Sequence, residues 1–234
     1  MKRLIMAGAI FSVALISGAQ SLAEIAEKNF QATNQQAFSD AKTIRITAKG
    51  IQGGMEIPMV ISMKNPEKVR VDMSFQGMAI IQAYDGVKGY MVNPMMGSND
   101  VVELSAAEAA NMKNQANFTT NLVDYFKQDK IELAGDVNID GKPAWKIKQI
   151  LPTGDIAYLY VDKSTFLQVK SDMTVNQMGI EMNIETYLSD FTDFGGVLLP
   201  KMTTSYANGT EMMVMIIEKV ELNIDMDDKL FTLK

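Results

Sequence analysis

Asp136, Asn138 and Asp140, followed by Gly141, occupy positions one, three, five and six of a calcium-binding loop, where side-chain oxygens converge on a hard cation. Position twelve of such a loop must supply a bidentate carboxylate, and Ile147 stands there instead. With strand-like sequence on both sides, the stretch is expected to be a β-hairpin turning at Asp140-Gly141. The chain has no cysteine and no histidine, which excludes Ser-His-Asp and Cys-His nucleophilic catalysis and the usual zinc and haem ligand sets. The remaining carboxylates fall on polar strand faces or in turns, including Asp225, Asp227 and Asp228. No enzymatic activity, cofactor or metal is therefore expected.

Methionine is the residue type left with chemistry to offer. Of the 19 in the chain, 17 lie beyond the first 23 residues. Thioether clusters bind copper(I), but copper sites gather methionine in a short run beside histidine or cysteine, whereas here the residues are spread at strand spacing. An unbranched, polarisable side chain also adapts to variable apolar shapes. Three readings stand side by side: an ordinary core, the wall of a cavity for an apolar ligand, and a metal site.

The elements that must position these residues are mostly strands. Between Met55 and Met96 four short strands follow in series, with Met55, Ile57, Met59, Ile61 and Met63 on one face by strict alternation. Val69, Val71, Met73 and Phe75 repeat the pattern. Thr43 to Ala48 also alternates, and Gly53-Gly54 marks a turn into the Met-rich strand. Pro58 lacks a ladder donor, which points to an edge strand or a bulge. The second half reads as antiparallel strands over residues 130–133, 144–151, 156–162, 167–175, 180–188, 197–205 and 211–222, with Met212 to Ile217 apolar on both sides, as in a central strand.

Helical signals interrupt this β pattern. Residues 24–41 read as one weakly amphipathic helix. Ser105 and Glu108 form a capping box ahead of an alanine-rich run, and Phe118, Leu122, Tyr125 and Phe126 follow at helical spacing. Their apolar faces need a surface to cover, and the concave face of the sheet is the candidate. Leu230 and Phe231 are expected to tuck under the sheet.

Lys2 and Arg3 before an apolar run to Ile16, with Ser21-Leu22-Ala23 after it, form a signal peptide expected to be cleaved after Ala23. Thirteen apolar-run residues are too few to span a bilayer, which takes about 20. The expected product, residues 24–234, is one exported, soluble, periplasmic domain without a lipid anchor, since no cysteine follows the cleavage point. Losing Lys2 and Arg3 takes the formal net charge from −6 to −8. That acidity argues against nucleic acid and against stable adsorption to anionic lipid heads.

The order of features between residues 64 and 94 resembles the LolA-like carriers, the periplasmic lipoprotein-sorting proteins of Gram-negative bacteria. Lys64-Asn65-Pro66 ends one strand, Val69 to Phe75 alternates, Ile80 to Tyr84 runs into Asp85-Gly86 and Lys88, and Tyr90 to Val92 ends in Asn93-Pro94. The resemblance implies a mainly β fold, an incomplete antiparallel barrel covered on its concave face by helices. It further implies a monomer that holds lipoprotein acyl chains, or a related lipid, in an apolar cavity and moves them towards the outer membrane, with inner- and outer-membrane proteins as partners. Met59, Ile61, Met63, Val71, Met73 and Phe75 are the expected lining, with Phe118, Leu122 and Phe126 as lid residues. Asn65 stands where the carriers have an arginine that holds the lid shut, so it marks the lid-switch position. The alternative within this fold is a sensing or docking module that recognises a lipoprotein, a lipid or a membrane partner without transporting it.

Overall fold

The alternating stretches fold into consecutive hairpins. In the computed structural model, which describes residues 20–116, 121–177 and 180–233, thirteen strands form one antiparallel sheet. The first meander comprises β1 (Thr43–Gln52), β2 (Met55–Lys64), β3 (Lys68–Phe75), β4 (Met78–Tyr84), β5 (Gly89–Val92) and β6 (Val102–Glu103). The second comprises β7 (Ile131–Ile139), β8 (Lys142–Ile150), β9 (Ile156–Asp162), β10 (Gln168–Gln177), β11 (Ile180–Asp193), β12 (Leu198–Ala207) and β13 (Thr210–Leu222). Pairing of β1 with β13 joins the two meanders, so β6 and β7 become the outer edges. The result is an unclosed half-barrel.

Between those two edges the chain carries α3 (Ala106–Ala116) and α4 (Leu122–Lys127), while α1 (Leu22–Ala32) and α2 (Gln35–Ser39) precede the sheet. A connection from one edge of an open sheet to the other must cross one of its faces. Beneath α2 and α3, Phe38, Ile44, Met63, Val69, Tyr84 and Met112 form one buried cluster. Beneath α1 and α4, Ile25, Leu122, Trp145, Ile147, Leu159 and Val161 form a second. Each fully buried aliphatic side chain contributes about 1.5–3 kcal/mol, so these two clusters hold the helices to the sheet. Among the described residues no helix is long and apolar enough to cross a membrane.

Four local features refine the sequence reading. The expected helix over 24–41 is two helices, broken at Asn34, which adopts φ 49°. The break is held from outside: the Asn34 amide donates to Gly196 O, and Leu198 N donates to Thr33 O at 3.1 Å. Pro58 does not mark an edge strand, because β2 lies between β1 and β3. The pairing of β2 with β3 does end at Met59↔Met73, immediately before Pro58. Counting from the two-residue turn Gly53-Gly54, position 58 faces away from β1, so its missing N–H would have pointed at β3. Asp136 to Gly141 is a hairpin, with Gly141 N donating to Asn138 Oδ1 at 2.7 Å and Lys163 pairing with Asp136 at 2.6 Å. Strand β7 extends six residues past the expected 133, to Ile139.

The chain's end is clamped as its sequence suggests. Phe231 is fully buried in a short 3-10 turn. Arg70 donates to Leu230 O at 2.9 Å, and Asp228 receives both Lys64 (2.7 Å) and Lys68 (3.0 Å). Those two lysines, hydrogen-bonded to it, hold the Asp228 carboxyl below the usual carboxylate range.

Candidate functional site

The pairing registers place Met59 opposite Met73, Ile61 opposite Val71 and Met63 opposite Val69 on the face that carries the helices. Within this set the surroundings differ. Met63 is buried among Phe38, Ile44 and Met112 beneath α2 and α3, and Ile61 and Val71 pack against the margin of that cluster. Met59 is buried beside Met213, because Gly50 has no side chain: a Cβ there would lie 3.1 Å from Met213 Sδ and 3.2 Å from Met59 Cε. Met73 and Phe75 are partly buried and belong to neither cluster. Leu122 packs in the second cluster, with Trp145 and Ile147, and Phe126 on the same helix is 38% exposed. Phe118 lies outside the described residues.

Between the two clusters the sheet carries a strip that sequence reasoning missed. Met213 and Met215 on β13 pair with Ser205 and Thr203 on β12, and Met173 on β10 pairs with Ile184 on β11. All six are partly buried, and neither cluster includes them. The sequence identified β13 as a central strand but not which of its residues face inward. A register shift at Thr47/Ala48 is the reason: Val220 and Leu222 face inward before it, Met213, Met215 and Ile217 after it.

The helices cover this strip incompletely and are fastened at their ends. A hollow of about 490 Å³ among α1, α2 and α4 is lined by Glu27, Gln36, Asn121 and Asp124. Helix α1 is tied to the β9–β10 turn, with Asn29 donating to Phe166 O at 2.7 Å and Lys28 Nζ 4.9 Å above the Phe166 ring. The α3 N-terminus closes the expected capping box, with Glu108 accepting from Ser105 N (2.9 Å) and Oγ (2.6 Å). Further along α3, Lys113 pairs with Glu67 at 3.1 Å. Hydrogen bonding to Glu67 raises the Lys113 pKa above the usual lysine value.

Asn65 is exposed in the turn that contains Glu67, and its backbone N donates to Lys42 O at 2.9 Å. Among the described residues its side chain makes no hydrogen bond; the contact to the covering helix comes from Glu67, two positions on. The concave strip is also without a candidate metal centre, since among the described residues no group of three His, Cys, Asp or Glu side chains is placed to hold an ion.

No protein-family model matches the chain, and a comparison with curated proteins found no match. Solved structures do resemble it. A LolA superfamily protein from Nitrosomonas europaea superposes with a TM-score of 0.59 at 15% identity, covering 89% of this chain and 97% of that one. A DUF1329 family protein from Desulfovibrio piger gives 0.58 at 12%, covering 88% and 97%. An outer membrane lipoprotein-sorting protein domain from Vibrio parahaemolyticus gives 0.58 at 11%, with the same coverage.

The fold is LolA-like. In this LolA-like sheet the methionine strip lies on the covered face. The opposite face is built differently. There Lys170 pairs with Glu185, its Nζ lies 4.9 Å from the Tyr187 ring centroid and 5.5 Å from that of Tyr160, and Tyr160 Oη donates to Asp172. Burial opposes the charge on Lys170, but hydrogen bonds with Glu185 and Tyr187 outweigh it and raise the pKa. Burial and the bond to Asp172 both push the Tyr160 phenol upward. The covered face is thus apolar and adaptable, and the outer face is polar and cross-linked around Lys170.

Proposed function

We propose that this chain binds the acyl chains of lipoproteins, or of related lipids, against the methionine strip of its concave face and carries them through the periplasm towards the outer membrane. The observation that supports this most is that Met213, Met215 and Met173, on strands between the two packed clusters, and Met73, opposite Met59, are only partly buried. A packed core would not leave flexible thioethers at that depth, and unbranched side chains can follow an acyl chain of any shape. Each CH₂ shielded from water is worth about 0.8 kcal/mol, which makes transit of a lipid through an aqueous compartment feasible. Residues 1–23 serve as the export signal, and the mature protein is a binding protein rather than an enzyme.

Native mass spectrometry of the protein purified from the periplasm, with lipid extraction of the same sample, tests this. Co-purifying acylated peptide or phospholipid, lost in a folded Met73→Asp variant, is the expected result. An apo mass together with no uptake of a fluorescent fatty acid would sink the carrier reading.

A second reading, a sensing or docking module on the same fold, draws support from the lid-switch position. The side chain of Asn65 makes no hydrogen bond to a lid helix among the described residues, and the Lys113–Glu67 pair that meets α3 is 50% and 44% exposed. Co-purification with a regulatory membrane protein in place of a lipoprotein-release complex would favour that reading.

A further inference from the structure

The outer face of the sheet carries a concavity of about 710 Å³ that the methionine strip does not share. By register, Ala144 pairs with Asp162 on this face while Trp145 pairs with Val161 on the other. Its floor is Ala144, 1% exposed, and its walls include Leu167, Val169, Tyr187 and Phe191. Three departures from regular sheet meet here: the shift between Gln168 and Lys170, Phe166 at φ 60°, and Asp190 at φ 54°. Bulges and non-glycine residues at positive φ gather beside binding sites because they re-aim side chains at a cost that the surrounding structure must sustain. The volume lies within the range of small-molecule sites, about 300–1,000 Å³.

The rim specifies charge. Asp162 accepts four hydrogen bonds, from N and Oγ of Ser164 and N and Oγ1 of Thr165, so its carboxylate is committed to the turn. Lys163 is paired with Asp136. That leaves Asp140, Asp190 and Lys142, which have no ion pair or side-chain hydrogen bond among the described residues and carry one net negative charge between them. Ammonium groups already sit on tyrosine rings of this face, Lys146 Nζ at 4.0 Å from the Tyr158 centroid and Lys170 Nζ at 4.9 Å from that of Tyr187.

We infer that this concavity is a second binding site, taking an amphiphile whose apolar chain lies over Ala144, Leu167 and Phe191 and whose ammonium head meets Asp140 and Asp190. Calorimetric titration of the purified protein with decyltrimethylammonium and with decanoate, both below their micelle concentrations, tests it. The ammonium amphiphile binds about tenfold more tightly than the carboxylate of equal chain length. Changing both Asp140→Asn and Asp190→Asn abolishes that preference, whereas Asp225→Asn, exposed and outside the concavity, leaves it intact. Ala144→Leu fills the floor and removes the ammonium binding; should that variant fail to fold, the paired asparagine changes decide alone. Equal binding of the two probes, or a preference that survives the paired changes, overturns the inference. Met73→Asp leaves the ammonium titration unchanged, so this site and the acyl-binding strip can fail separately.

Discussion

Met59 and Met73 face each other at the last rung between β2 and β3, one residue short of Pro58. The sheet's adaptable side chains therefore stand where its ladder stops, and Gly50 supplies the space in which the Met59 end lies.

Two glycines separate adaptable from rigid packing. At Gly50 an added methyl would press on the ends of Met59 and Met213, which can turn aside; at Gly89 it would meet Leu104 Cδ1 at 3.0 Å and Leu104 Cβ and Ala109 Cβ at 3.2 Å. Gly50→Ala is expected to leave stability within about 1 kcal/mol of wild type, the strain offset by reduced unfolded-state freedom. Gly89→Ala is expected to cost about 1–3 kcal/mol, because α3 must move away from β5. Urea midpoints of the two variants check the order, and equal losses would contradict it.

The strands were legible in the sequence because one of their faces is buried, and alternation is the direct trace of that burial. Met55 to Phe75 reads correctly for this reason. The break at Asn34 was not legible: its cause is the carbonyl of Gly196, 162 positions away. Nor was the inward set of β13, since the register shift beside Ala48 switches the inward parity, and an apolar run such as Met212 to Ile217 looks the same either way. The two-residue β6 offers too few positions for any period to show. Among the candidate residues, alternation correctly put Met59 to Met73 on one face, but it could not reveal that Leu122 sits in a different cluster from Met63.

Release of α3 is expected to depend on Lys113. Because the folded pKa of this lysine is raised, the ion pair contributes its full share below the ordinary lysine range, about 10.4, and loses it as pH rises through the folded value. Lys113→Ala should speed hydrogen exchange in α3 at neutral pH without moving the global unfolding midpoint, and added salt should mimic it in the wild type. Unchanged α3 exchange would show that the pair does not hold the helix.

Acid should loosen two defined places. Burial alone would raise the Asp162 carboxyl, but the bonds from Ser164 and Thr165 outweigh it and hold the value low; Asp228 is lowered by Lys64 and Lys68. For groups lowered on folding, the stabilisation is fully present above the unfolded value, about 3.9, and lost as pH falls through the folded one. Asp162→Ala is expected to cost about 1–3 kcal/mol at neutral pH, leaving Ser164 and Thr165 donors unpaired. Its stability should also fall less steeply with acid than that of the wild type. A parallel acid profile would assign the loss to other carboxylates.

Pro58 ends the hydrogen-bonded ladder between β2 and β3 beside the methionine pair. A hollow of about 410 Å³ lies on the outer face of the sheet at this point, lined mainly by Thr47, Lys49, Glu56, Pro58, Asp72 and Ser74, with Met59 and Met73 beneath it. Extending the register from Met59↔Met73 puts position 58 opposite Ser74, so Pro58→Val supplies the N–H that the ladder lacks there. One added backbone bond should stabilise the fold by about 0.5–1.5 kcal/mol and slow exchange at the new amide. The same bond stiffens the sheet beside Met59 and Met73, so uptake of a fluorescent fatty acid should slow even as the protein becomes more stable. A variant that gains stability and takes up the probe at the wild-type rate would show that the end of this ladder has no part in admitting ligand; one that gains no stability would show that Ser74 does not pair with position 58.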